Sequence, residues 1–262
     1  MPTAPINGIN IFYDDNGSGF PVLLSHGYSA NGRMWAPQVE ALCPRYRPIS
    51  WDMRGHGQTE SPDSLDQYSE ELTVADMRGL LEHLGVRQAV VGGLSMGGYM
   101  SLAFYLRHPE MVRALVLSDT GPGYRKDEAR ETWNRMAEAR ARDFEERGLE
   151  ALGGGAEVRV SALSHRSARG LALSARGMLA MFGTHVIDAL PAVRVPTLVI
   201  VGENDQPFLP ATDYMAAKIP GARKVVIEGS GHAANIERAD AFNAALLEFL
   251  DGLGLQGAKR ET

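Results

Sequence analysis

The sequence predicts an α/β protein built on a mostly parallel sheet with helices on both faces. Three observations predict it. Short apolar runs of strand length alternate with segments of helical period along most of the chain. The stretch "AVVGGLSMGGYM", residues 89–100, passes from an apolar run directly into a helical pattern through a knot of glycines. One segment, about 121–190, breaks the alternation with helical patterns and no strand-like run. A chain of 262 residues can bury a substantial core, so one sheet domain with an insertion is expected: a core of residues 1–120 and 191–262, and a helical cap of residues 121–190 over the sheet.

In chain order, "INGINIFYDDNGSG" reads as a hairpin closed by Asn16, Gly17 and Gly19. "PVLLSHG", "RPISWD", "QAVVGGL" and "RALVLSD" follow as buried strands, with "PTLVIVG" and "RKVVIEG" later. Between them "LTVADMRGLLEHLG" sets Val74, Met77, Leu81 and Leu84 on one helical stripe ending at Gly85. The helix after Ser95 runs through "MSLAFYLRHP" and stops near Pro109. In the insertion, "ARETWNRMAEARARDFEERG" is an amphipathic helix with Trp133, Met136, Arg140 and Phe144 on one side. The glycines at 153–155 mark a joint, and "RGLALSARGMLAMFG" reads as further helix. The closing helix carries Phe242, Ala245, Leu246, Phe249, Leu250 and Leu253 as a docking face, and the tail "GLQGAKRET" is expected to be disordered.

Composition excludes several functions. A net charge of −6 with no basic stripe gives no footprint for nucleic acid. No run reaches the roughly 18 apolar residues of a membrane span, and the amino terminus lacks a basic start followed by a long apolar stretch, so a cytoplasmic protein without membrane partners is expected. The single cysteine, Cys43, can form no internal disulfide and reads as a half-buried thiol.

The chemistry centres on Ser95. A strand that turns straight into a helix crowds the apex, and side chains two positions either side would meet neighbouring backbone. Gly93 and Gly97 occupy those positions, which makes G-x-S-x-G in the strand-turn-helix setting of a nucleophile elbow. Gly98 lets the helix lie close to the sheet. A serine hydroxyl needs a base to take its proton and a third group to orient that base. His232 in "IEGSGHAANIE" is the expected base. Asp205 in "VIVGENDQPFLP" is the expected acid, with Glu203 and Asp119 as alternatives, and the order Ser, Asp, His suits loops at the carboxyl ends of strands. The developing oxyanion needs donors: the backbone N–H of Met96, after the nucleophile, and that of Tyr28 in "LLSHGYSANGRMW". His26 precedes that turn and reads as a structural hydrogen-bonding residue.

With these residues in place, the chain resembles the α/β-hydrolase superfamily over about residues 20–120 and 195–250, through "HGYSANGRMW", "DMRGHGQTE", "GGLSMGG", "GENDQP" and "GSGHAANIE". The resemblance implies about eight strands with a helical cap after the sixth. It also implies that Asp52, Arg54 and His56 are scaffold. Relatives of this fold that attack an sp³ carbon use aspartate, because a serine ether could not be released by water; serine instead suits a carbonyl. "GLSMGG", "PTLVIVGENDQ" and the closing helix look like bacterial esterases and enol-lactone hydrolases, whereas "HGYSANG" departs from the glycine- and proline-rich turn common in the C–C bond hydrolases. The expected activity is hydrolysis of a carboxylic ester of a small or medium, mainly apolar substrate. A lactonase, a C–C bond hydrolase or a receptor that keeps the triad are the alternatives. Tyr28, Trp133, Met136, Met178, Met181 and Phe182 are the expected substrate lining. The chain shows no metal-ligand spacing and no phosphate-cradling loop, and the mechanism requires no cofactor.

Overall fold

The computed structural model describes residues 2–255. The tail expected to be disordered lies, beyond Leu255, outside them. Eight strands form one sheet: β1 (Thr3–Ile6), β2 (Ile9–Asp15), β3 (Phe20–Ser25), β4 (Tyr46–Trp51), β5 (Ala89–Leu94), β6 (Val112–Ser118), β7 (Thr197–Gly202) and β8 (Arg223–Ile227). Their order is β1-β2-β4-β3-β5-β6-β7-β8. The pairs from β4–β3 through β7–β8 are parallel, and β1 and β2 are antiparallel.

The hairpin turn is not where the sequence pattern put it. Ile6 pairs with Ile9, so the turn is Asn7–Gly8, both at positive φ (47° and 80°), the backbone a two-residue hairpin requires. Asn16 to Gly19 instead lead from β2 to β3. A Cβ on Gly17 would sit 2.2 Å from the Tyr46 carbonyl oxygen, and one on Gly19 2.0 Å from that of Arg45. These glycines let the chain pass against the start of β4.

Period-2 alternation sends neighbouring strand residues to opposite faces. Leu23, Val91, Leu115, Leu117 and Val199 join one core with Val74, Met77 and Leu81 of α2 (Glu70–His83) and Met100 and Phe104 of α3 (Met96–Arg107). Val22, Leu24, Val90, Val116 and Ile200 join the other, with Leu42 of α1 (Ala36–Leu42). A helix numbered last in the chain completes that face: Phe242, Leu246 and Leu250 at residues 239–252 pack there, each such side chain contributing about 1.5–3 kcal/mol by burial. Arg54 is fully buried and grips Asp76 of α2 through two bonds of 2.7 and 2.8 Å. Asp52 accepts the Gly32 and Gln58 N–H groups, each at 2.8 Å, and burial lifts its pKa to about 6. Both residues hold loops, as their expected scaffold role requires.

Between β6 and β7 the chain is helical: α4 (Asp127–Arg147), α5 (Ala156–Arg159), α6 (Ala168–Ser174) and α7 (His185–Ala189). The face of α4 that packs most closely carries Ala137, Ala141 and Phe144, because small side chains let α6 approach. A single π-helical turn, 175–179, continues α6, and the helix ends at Ala180. The helix expected over 169–183 therefore stops short of Met181 and Phe182. Beyond this segment α8 (Leu209–Lys218), α9 (Ala234–Glu237) and α10 (Ala239–Gly252) complete the chain. Among the described residues no helix is long and apolar enough to cross a membrane. Cys43, just after α1, is half-buried.

Candidate active site

Ser95 stands between β5 and α3 at φ 53° and ψ −117°, a backbone that a non-glycine residue adopts only under strain. Its surroundings hold it there. Its N–H donates to the Ser118 carbonyl at 2.9 Å, and its carbonyl accepts the Thr120 hydroxyl at 2.6 Å. A Cβ on Gly93 would come within 2.5 Å of Gly97, and one on Gly97 within 2.3 Å of the Ser25 carbonyl oxygen. These approaches show why the turn needs glycine on both sides of the serine.

The loops after β7 and β8 bring Asp205 and His232 together, with His232 Nδ1 2.8 Å from Asp205 Oδ2. Asp205 is buried and His232 half-buried. Burial works against a charged His232 ring, but the Asp205 hydrogen bond and charge, followed by the charges of Asp119 and Glu157, raise its pKa above the ordinary 6.5. Phe208 stacks on the imidazole at 5.0 Å between ring centres. Asp119 is close, since one donor atom from each of Asp119, Asp205 and His232 lies within 4.8 Å of the others. Its oxygens are engaged elsewhere: Oδ1 accepts the Gly202 N–H at 2.8 Å and Oδ2 the Ser118 hydroxyl at 2.7 Å. Glu203 accepts the Gly229 N–H at 3.0 Å. Of the three carboxylates weighed from the sequence, Asp205 is the one that hydrogen-bonds the histidine. The same three ligand-type side chains form the one metal-compatible group among the described residues, yet hydrogen-bond donors already answer both oxygens of Asp119.

Tyr28 lies in a turn that places Gly27 against Ser95: a Cβ on Gly27 would be 3.6 Å from Ser95 Cβ. Among the described residues, neither the Tyr28 N–H nor the Met96 N–H has an acceptor. The Tyr28 hydroxyl donates to the Leu171 carbonyl at 3.0 Å, and burial raises its pKa. His26 is spent on backbone, as expected. Its Nε2 accepts the Met53 N–H at 2.9 Å, so Nδ1 carries the proton and donates to the Gly27 carbonyl at 2.7 Å.

Two chambers meet at Ser95. The first, about 270 Å³, is apolar and is walled by Tyr99, Tyr124, Trp133, Met178, Met181 and Ile187, with Phe208. The second, about 290 Å³, is walled by Tyr28, Trp133, Met136, Phe144 and His232 together with the charged Arg140 and Glu157 and the glycines 153–155. All four residues read as one side of α4 face this second chamber. Phe182 is different. It is 72% exposed and belongs to neither wall, because the helix has already ended at Ala180 and the chain turns outward.

Phe208, Glu157 and His165 carry no motif in the sequence, because their surroundings come from distant segments. Of these, Phe208 alone has a local signal, three residues after Asp205 in the "ENDQPF" loop.

A family model described as the alpha/beta hydrolase family matches residues 22–245. The chain belongs to the alpha/beta hydrolase family. Its eight-stranded, mostly parallel sheet is the alpha/beta hydrolase fold. Among solved alpha/beta hydrolases, a thermophilic esterase from Thermogutta terrifontis is 31% identical, with a TM-score of 0.81 over 96% of this chain and 98% of that one. The enol-lactonase from Burkholderia xenovorans LB400 is 30% identical, with a TM-score of 0.77 over 95% of this chain and 100% of that one. A non-heme chloroperoxidase of Kitasatospora aureofaciens is 32% identical, covering 94% of this chain and 97% of its own. This alpha/beta hydrolase is therefore similar to relatives with different named activities, and its own walls must account for its substrate.

Proposed function

We propose that this alpha/beta hydrolase cleaves carboxylic esters of small or medium, mainly apolar substrates through an acyl-enzyme on Ser95. The observation that carries this is the strained Ser95 at the junction of two chambers, one of which also contains His232 held by Asp205. Neutral His232 takes the Ser95 proton at Nε2 as Oγ attacks the ester carbonyl, while its Nδ1–H donates to Asp205 and fixes the tautomer. The tetrahedral oxygen receives the Tyr28 and Met96 N–H groups, each such donor being worth about 2.7–4 kcal/mol. The imidazolium returns the proton to the leaving alkoxide. Water then repeats the sequence on the acyl ester and releases the acid. The apolar first chamber suits an acyl chain, and its methionines suit chains of differing shape.

The test is a fluorophosphonate followed by mass spectrometry, together with turnover of p-nitrophenyl butyrate. A single adduct at Ser95 and turnover lost in Ser95→Ala are expected. An adduct elsewhere, or full turnover in Ser95→Ala, overturns the assignment.

Lactone hydrolysis is the second reading, favoured by the second chamber. Of the five arginines on α4, Arg140 alone has no hydrogen-bond or ion-pair partner among the described residues, and it faces that chamber. Such a guanidinium would suit a lactone carrying a carboxylate, and one similar structure is named an enol-lactonase. A higher kcat/KM for a carboxylated enol-lactone than for any simple ester would favour it.

A further inference from the structure

The turn that carries the Tyr28 N–H is held from both sides by buried imidazoles. It spans Gly27–Ala30 and is closed by the Ala30 N–H on the Gly27 carbonyl at 3.1 Å. Ser29 sits in it at φ 55°, a left-handed conformation that costs a non-glycine residue energy and persists only where its surroundings enforce it. On one side, His26 donates to the Gly27 carbonyl and accepts the Met53 N–H. On the other, His165 lies 2.9 Å through Nε2 from the Ser29 carbonyl, and its Nδ1 accepts the Gly57 N–H at 3.1 Å. An imidazole that accepts at Nδ1 and faces a carbonyl at Nε2 must be neutral, with its proton on Nε2. His165 is only 7% exposed. Both carbonyls flanking Tyr28 thus accept from an imidazole whose other nitrogen is anchored to the loop at 53–57.

The second imidazole comes from the irregular stretch just before α6, within the segment between β6 and β7. That segment also reaches the following residue of the turn region: the Asn31 N–H donates to the Ser161 hydroxyl at 3.1 Å, and Asn31 Nδ2 to the Ser161 carbonyl at 3.2 Å.

We propose that His165 is a positioning residue for the oxyanion donor: by holding the Ser29 carbonyl, it keeps the strained turn in the one arrangement that leaves the Tyr28 N–H facing the chamber at Ser95. His165 does not touch the substrate. The helical segment is then part of the transition-state machinery as well as a wall of the pocket. This rests on the acyl-enzyme reading above.

The test compares a trifluoromethyl ketone, which becomes a tetrahedral oxyanion on an active serine, with the matching methyl ketone, which binds as a trigonal carbonyl. The asparagine oxygen in His165→Asn can replace Nδ1 toward Gly57 but cannot reach Ser29, whereas the His165→Gln amide reaches Ser29. In His165→Asn we expect kcat on p-nitrophenyl butyrate to fall about 10- to 100-fold with KM little changed. Affinity for the trifluoromethyl ketone should fall by the same factor, with methyl ketone affinity unchanged, and His165→Gln should restore most of both. Equal losses for the two ketones, wild-type kcat in His165→Asn, or a kcat loss matched by a loss of fluorophosphonate-reactive sites overturns the proposal. The wild-type protein gives a measurement that no folding defect can obscure. Its histidine ¹⁵N spectrum must show His165 protonated on Nε2, and that signal must move with the trifluoromethyl ketone and stay with the methyl ketone. The opposite tautomer or an unmoved signal overturns the proposal. A wild-type protein that neither turns over the ester nor binds the trifluoromethyl ketone overturns the acyl-enzyme reading first, and the role of His165 with it.

Discussion

Ser95, Asp205 and His232 stand at the carboxyl ends of β5, β7 and β8, whereas Trp133, Met136 and Met178 reach the same space from helices between β6 and β7. The two regions hold their side chains by different means. At the strand ends, backbone ladders and steric exclusion fix each position: a Cβ on Gly97 would overlap the Ser25 carbonyl, and the Ser95 N–H is committed to Ser118. In the helical segment, positions follow from side-chain packing and a few polar ties. Trp133 Nε1 donates to the Leu179 carbonyl at 2.7 Å, and Arg176 pairs with Glu138 and Glu145 of α4. The strand ends therefore fix the positions of these groups, whereas the helical layer shapes the pocket by packing and reaches them at particular ties, through His165 and Glu157.

The largest expected effect separates two carboxylates on the sheet side. Asp205→Asn should leave the fold intact and lower kcat by about 10³- to 10⁴-fold, as losing the carboxylate that orients a triad histidine does. Asp119→Asn should cost less than tenfold, because its oxygens hold Gly202 and Ser118 and not the imidazole. Steady-state kinetics with circular dichroism decides between them; a greater loss in Asp119→Asn would break the division drawn here.

A smaller effect tests the helical side. Met178 is buried in the apolar chamber, while Phe182 points to solvent. Met178→Ala should shift preference toward bulkier or longer acyl chains, with kcat/KM ratios between acetate and hexanoate esters changing by about tenfold, the equivalent of about 1.4 kcal/mol. Phe182→Ala should change no ratio. Matching behaviour of the two variants would mean that the helices are arranged differently around bound substrate.

The smallest effect links the regions through charge. In the proposed mechanism only neutral His232 accepts the serine proton, so kcat/KM is expected to rise with pH through its titration. The raised pKa places that midpoint above 6.5. Glu157, from the helical segment, contributes to the rise by favouring imidazolium. Glu157→Gln removes that charge, so the midpoint should move to lower pH and the enzyme should retain more activity in mild acid. A pH–rate profile with an unmoved or raised midpoint would mean that no charge on the helices reaches the base.

Much of this was legible in the sequence, and the rest was hidden for physical reasons. Strands β3 and β5 to β7 announced themselves because a parallel strand buried on both faces is largely apolar along its length, the edge strand β8 was legible only through its short "VVI" run, and "GLSMG" was legible because a serine at a strand-to-helix apex tolerates almost nothing but glycine beside it. Asp205 and His232 followed from chain order at strand ends. The choice of Asp205 over Asp119 as the partner of His232 required three dimensions, since both follow strands and only the spent oxygens of Asp119 distinguish them. The turn at Asn7–Gly8 and the exposure of Phe182 depended on register and on where a helix ends, which local pattern specifies weakly. Sequence by itself determined the sheet, the elbow and the chemical groups at its rim, because backbone periodicity and steric exclusion act over a few residues. Tertiary structure alone decided that Phe182 leaves the chambers while Met178 and Met181 stay, and brought His165 to the carbonyl of Ser29, 136 residues away in the chain, because such contacts arise only when separate segments pack against one another.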